Sequence, residues 1–272
     1  MPTLRRPTAT LHYDDTGPRD APAVLLTHSL LCDRTMFSHL AAELATTHRV
    51  LNLDLRGHGL SSPAARGYSL DDECDDLVAV LDHAGVARAT LVGLSMGAML
   101  SMRAAVFHPT RVAALALLNT SAEPESPFHR AQYMAMAGAF LAVGVLGTLE
   151  ARIKPLMFSD GFVERAPAEV ERFFAGLRAS RREGLFQAVQ AVALRGDFSH
   201  ELGAIGVPTM VLVGDQDRAT PLFRAQRIVD ALPGSTLDVV RSAGHLSTLE
   251  QPELTTQAVR AFLDRVADGV QR

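Results

Sequence analysis

Tryptophan is absent from the 272 residues, cysteine occurs twice, lysine once, and the charges nearly cancel: Asp+Glu 30 against Lys+Arg 26, a formal net charge of -4. Each scarcity removes a class of function. Cys32 and Cys74 are too few for a disulfide scaffold or a structural zinc site and read as reduced, partly buried thiols. Lys154 is the one candidate for Schiff-base chemistry and has no supporting context. A near-neutral, slightly acidic chain offers nothing to nucleic acid or to an anionic membrane. No apolar core follows Met1-Pro2-Thr3-Leu4-Arg5-Arg6-Pro7, so no signal peptide is read and a cytoplasmic protein is expected. The uncharged stretch 131–149 is long enough to raise the question of a membrane span. Gln132, Gly138, Gly144, Gly147 and several alanines interrupt it, and it lies mid-chain, so a buried helix or a pocket-lining helical hairpin is expected instead. No internal repeat or low-complexity tract is present.

The 47% hydrophobic content suits one large α/β domain, or a domain with an insertion. Short apolar runs of the kind that form buried parallel strands occur at 24–27, 49–55, 89–93, 112–118, 209–213 and 236–240, and 8–14 reads as a first edge strand. Helical patterns fall between them, at 36–44, 70–84, 96–107, 222–232 and 252–266. Acidic residues in the first turn favour the helix from Leu70, and Gly85 ends it. This alternation predicts a doubly wound, mostly parallel sheet. It stops at Asn119 and resumes at Thr209. Residues 122–197 carry helical patterns and no convincing strand, so they are expected to form a helical cap inserted into a core made of 1–121 and 198–272.

The chain is organised around Leu91-Val92-Gly93-Leu94-Ser95-Met96-Gly97-Ala98-Met99, where a strand-like run meets a helical pattern at one serine flanked by glycines. This is G-x-S-x-G in the strand, turn and helix context it needs. Such a turn holds the serine in a strained backbone conformation with Oγ clear of the chain. It also brings strand and helix so close that side chains at 93 and 97 would collide. The helix start aims the Met96 N–H at a developing oxyanion.

In an open parallel sheet, functional groups gather at the carboxyl ends of the strands. There this chain places His28-Ser29-Leu30, the loop from Arg56 to Ser62, then Ser95, then Asp215 and Asp217, then His245. A nucleophile, an acid and a histidine thus appear in the order Ser, Asp, His. Nearly the whole chain resembles the α/β-hydrolase family. Gly93-Leu94-Ser95-Met96-Gly97 is similar to its nucleophile elbow and Asp54-Leu55-Arg56-Gly57-His58-Gly59-Leu60-Ser61 to its D-x-R-G-x-G-x-S loop. Gly214-Asp215-Gln216-Asp217 with Pro221 is similar to its acid loop, and Ala243-Gly244-His245 to its histidine loop. Within the family, His28-Ser29-Leu30, Leu94-Ser95-Met96-Gly97, Leu118-Asn119-Thr120-Ser121 and His245-Leu246-Ser247 with Glu250-Gln251-Pro252-Glu253 most resemble 3-oxoadipate enol-lactonases. Those enzymes open an unsaturated lactone that carries a carboxylate. Their caps contribute a tryptophan to the pocket and this chain has none, which leaves the substrate open but not the chemistry.

The resemblance implies a cofactor-free, metal-free hydrolase of a small ester or lactone. Ser95 is the nucleophile, His245 the base, and Asp217 rather than Asp215 the acid, with the N–H groups of Leu30 and Met96 as oxyanion donors. His28 is expected to shape the oxyanion turn by a hydrogen bond, and Asp54, Arg56 and His58 to be structural. Tyr133, Met134, Met136, Phe140 and Leu141 are candidates for an acyl pocket, and Arg130, Arg152 and Lys154 for pairing with a substrate carboxylate. The same triad also permits perhydrolysis or cofactor-free haloperoxidase activity, carbon–carbon bond hydrolysis, and a ligand-binding receptor. A metal-dependent lactonase is disfavoured because no H-x-H-x-D-H or H-E-x-x-H run occurs. The implied partner is a small ester or lactone, with no nucleic acid and no membrane. A homo-oligomer stays open.

Overall fold

In a computed structural model, residues 2–270 are described. Eight strands form one sheet in the order β1 (Thr3–Arg5), β2 (Thr10–Thr16), β4 (Arg49–Asp54), β3 (Ala23–Thr27), β5 (Ala89–Leu94), β6 (Val112–Leu118), β7 (Thr209–Gly214), β8 (Thr236–Val240). The six strands from β4 to β8 in that order run parallel, while β2 is antiparallel to both β4 and β1. The edge is therefore β1, and the strand expected at the edge is the second one in. Every residue of β5 and β7 is buried, which is what a largely apolar run without alternation requires. Strand β4 is buried throughout as well, with its polar residues Arg49, Asn52 and Asp54 hydrogen-bonded.

Alternate residues of these runs enter opposite cores. Leu25, Leu51, Leu91, Leu115 and Val211 point to one face, Val24, Val50, Val92, Ala116 and Met210 to the other. The first face is covered by α2 (Leu70–His83), α3 (Met96–Phe107) and α9 (Leu222–Ala231), the second by α1 (Ser38–Leu44) and α11 (Pro252–Val270). Ser69 starts α2 with a reciprocal cap: its Oγ accepts from Asp72 N at 3.1 Å and its N–H donates to Asp72 Oδ2 at 2.8 Å. Helix α3 is buried from Met96 to Ala105, so no side of it is polar. A 3-10 turn, Arg34–Phe37, replaces the first turn of the helix expected from residue 36.

Between β6 and β7 lie five helices, α4 (Pro127–Val143), α5 (Gly147–Met157), α6 (Asp160–Arg165), α7 (Pro167–Ala179) and α8 (Arg182–Ala193). The uncharged stretch is split between α4 and α5 by Gly144 at φ 78°, and among the described residues no helix is long and apolar enough to cross a membrane. The insertion docks on the loop after β4. Gly57 and Gly184 approach so closely that a Cβ on Gly57 would lie 2.6 Å from Gly184 Cα, and Gln187 exchanges two 3.1 Å hydrogen bonds with the backbone of Ala64. It also docks on the C-terminal loops: Glu250 Oε2 accepts from Ser159 N at 3.1 Å and from Ser159 Oγ at 2.5 Å.

Candidate functional site

Ser95 follows β5 directly and caps α3 with φ 55° and ψ −111°, a region that L residues seldom occupy. Its backbone is held from three sides. Ser95 N donates to Leu118 O at 2.9 Å, and Ser95 O accepts from Met99 N at 3.0 Å and from Thr120 Oγ1 at 2.9 Å. A Cβ on Gly93 would lie 2.4 Å from Gly97 C, the collision expected across the elbow. Gly97 answers to a different neighbour: its Cβ would lie 2.0 Å from Thr27 O on β3. Gly97→Ala therefore has to push α3 off the sheet. We expect it to lower stability by about 3 kcal/mol in urea denaturation, and a loss under about 1 kcal/mol would show that the elbow tolerates the displacement.

The loops after β7 and β8 bring Asp217 and His245 together. His245 Nδ1 lies 3.1 and 3.0 Å from the two Asp217 oxygens, and both residues are buried. Asp217 Oδ1 also accepts from Ala219 N at 2.9 Å and Thr220 N at 2.8 Å. Its Oδ2 accepts from Thr220 Oγ1 at 2.7 Å and Asn119 Nδ2 at 2.9 Å. Burial pushes this carboxyl up, but the neighbouring His245 and the hydrogen bonds outweigh it and hold the pKa below the usual carboxylate range. Asp215 is exposed and accepts from Ala243 N at 3.4 Å, a loop contact outside the site.

Asn119 and Thr220 carry no role in the sequence analysis. Asn119 sits at φ 47° just past β6, and its side chain is fully committed: Nδ2 to Asp217 and to Gly244 O at 3.1 Å, Oδ1 from Ser247 Oγ at 2.6 Å. The strand-end rule applied to β6 would have found it. Thr220 has no comparable signal, because its partner is fixed only by the turn it occupies.

Leu30 lines the same pocket as Ser95 and His245. It lies in a turn closed by Cys32 N to Ser29 O at 3.2 Å, with Leu31 at φ 66°. Met96 opens α3, where a backbone N–H has no acceptor within the helix. His28 spans two loops. Its Nε2 accepts from Leu55 N at 2.9 Å, so its Nδ1 carries the proton and donates to Ser29 O at 2.8 Å. Arg56 is held by Asp76 and by Thr8 Oγ1. Asp54 accepts from Arg34 and Leu60 N.

Burial lowers the His28 pKa to about 4 and that of His58, 4.9 Å away ring to ring, to about 3, while burial raises Glu73 to about 8. The linkage signs oppose. Below pH 6.5 the unfolded chain binds two histidine protons that the folded one refuses, and down to pH 4.5 the folded chain keeps one Glu73 proton that the unfolded one releases. The net is one proton, about 1.4 kcal/mol per pH unit. Because the unfolded histidines are half protonated at pH 6.5, stability in urea is expected to fall by about 1.5 kcal/mol from pH 6.5 to pH 5. A flat profile would mean that the histidines accept protons in place.

The pocket has a volume of about 980 Å³ including its mouth, and apolar side chains dominate its lining. Tyr133, Met136, Ala137 and Phe140 contribute, one face of α4 at helical spacing. Met134 and Leu141 are each one position round from that face and do not line it. Nor do Arg130, Arg152 or Lys154: Arg152 is exposed, and Lys154 lies over the Phe174 ring at 5.8 Å. Among the described residues the one carboxylate that lines the pocket is Glu125, which no local pattern marked.

Comparison with known proteins accords with this fold. The profile of a family described as alpha/beta hydrolase fold matches residues 22–252. The chain is 30% identical to 3-oxoadipate enol-lactonase 2 of Acinetobacter baylyi over 97% of its own length and 96% of that protein. Two solved structures superpose closely. A thermophilic esterase from Thermogutta terrifontis has a TM-score of 0.91 at 30% identity, covering 98% of this chain and 99% of that one. The enol-lactonase from Burkholderia xenovorans has a TM-score of 0.90 at 29% identity, covering 97% and 100%.

Proposed function

The chain belongs to the alpha/beta hydrolase family, and from that premise we propose that it is a cofactor-free serine hydrolase of a small carboxylic ester or lactone. The observation that carries the reading is that His245, paired with Asp217 behind it, lines the same pocket as a serine at a strained elbow.

The protons follow from the pairing. Asp217 accepts from Nδ1–H, which leaves His245 Nε2 as the acceptor for the Ser95 hydroxyl proton. Ser95 Oγ attacks the carbonyl carbon, and the oxyanion takes the N–H groups of Leu30 and Met96. The tetrahedral adduct then expels the alcohol oxygen, which receives the proton from His245. Water, deprotonated by His245 in turn, releases the acyl group. A lactone goes through the same steps, its leaving oxygen staying tethered to the acyl chain.

The test is a p-nitrophenyl ester series of rising acyl length together with a lactone panel. The panel includes the enol-lactone named for the Acinetobacter relative. Turnover of at least one set is expected. No turnover of either overturns the reading.

A further inference from the structure

One corner of the pocket is not apolar. Just beyond β6, Glu125 reaches the lining while only 7% exposed. Its Oε1 accepts from Arg195 Nη2 at 2.9 Å. The rest of Arg195 is already used: Nε and Nη2 donate to Glu123 O at 3.1 and 2.7 Å, and Nη1 to Val192 O at 2.8 Å. Glu125 Oε2 is held differently. Arg224 Nη2 stands 3.7 Å from it and His129 Nδ1 3.9 Å, both beyond hydrogen-bond length. Arg224 gives its Nη1 to Ser121 Oγ at 3.0 Å. Neither arginine lines the pocket. Tyr133 does, and burial together with the Glu125 charge pushes its phenol up, so it keeps its O–H at neutral pH.

The corner thus shows a ligand an acceptor oxygen and a phenol, with the cations set behind them. A carboxylate oxygen of a pocket-lining residue whose cations stand beyond hydrogen-bond length can take a donor that a ligand brings. A ligand carboxylate in the same place would meet the Glu125 charge, and Arg195 has no free fork to offer it. We infer that Glu125, with Tyr133, is a specificity-determining site for a substrate whose apolar body ends in an uncharged hydrogen-bond donor, a hydroxyl or amide N–H. The same site selects against a carboxylate at that end. This inference rests on the serine-hydrolase reading.

The experiment compares kcat/KM for three sets of p-nitrophenyl esters, of four- to eight-carbon acids ending in methyl, hydroxyl or carboxylate, in the wild type and Glu125→Gln. In the wild type the hydroxyl-ended ester is expected to exceed the carboxylate-ended one by at least about tenfold at the chain length that reaches the corner. Glu125→Gln keeps an acceptor for Arg195 and turns an amide N–H towards the pocket, so that ratio should collapse to within about threefold. Ratios between substrates are unaffected by a partial loss of folded protein, and the wild-type ratio needs no variant. Equal use of all three endings at every length overturns the Glu125 assignment and leaves the hydrolase reading standing. A wild-type ratio that survives in Glu125→Gln also overturns it. Inactivity on every ester overturns the Glu125 assignment and leaves the lactone panel to decide the hydrolase reading.

Discussion

Ser95→Ala is expected to cut kcat on p-nitrophenyl butyrate by at least about a thousandfold, or about 4 kcal/mol of transition-state stabilisation. The acyl-enzyme cannot form without Oγ, and what remains is the catalysis that Leu30, Met96 and substrate binding provide alone. Alanine keeps the Cβ, so the unusual backbone at φ 55° is neither relieved nor worsened. The thermal melt should therefore match the wild type within about 0.5 kcal/mol. A variant as active as the wild type would show that the nucleophile is another group and that the elbow is a structural turn.

Asp217→Asn should cost about as much, on the order of a thousand- to ten-thousandfold in kcat, by a different route. The nucleophile stays, but the tautomer changes. The two backbone N–H groups of Ala219 and Thr220 keep an oxygen at the Oδ1 position, which turns the new amide towards His245 Nδ1. An N–H there opposes a proton on Nδ1 and favours the tautomer protonated at Nε2, where the imidazole cannot accept from Ser95. The same amide also faces Asn119 Nδ2, two donors opposed, so a stability loss of about 1–3 kcal/mol accompanies it. If kcat falls less than about tenfold while the protein stays folded, the acid of this site is not Asp217.

Much of the sheet was legible because its central strands are buried on both faces and so read as unbroken apolar runs. Strand β1 was not: three residues, Thr-Leu-Arg, with two of them exposed, make no run at all. The motif positions were legible through their spacing from strand ends, a local property. Asn119 and Glu125 act through partners 98 and 70 residues away. Its place after β6 could have flagged Asn119, but no window of sequence contains the reason for either. Thr220 bonds Asp217 within one turn, whose geometry the sequence does not spell out. The difference between Met134 and Met136 is one of helical phase. Both are apolar, and only the axis direction of α4 decides which faces the cavity.

The five-helix insertion leaves the sheet after β6 and returns at β7, and these strands are neighbours, paired from Leu115 with Thr209 to Leu118 with Leu212. The sheet therefore closes across the gap whatever length of chain is looped out. Mutational change in α4 to α8 can reshape the cavity wall while the register that sets Ser95, Asp217 and His245 stays fixed. Much of the cavity wall and the proposed triad thus lie on separate stretches of one polypeptide, so drift in the first can alter what the cavity accepts, within the limit set by its packing on the loop of His245.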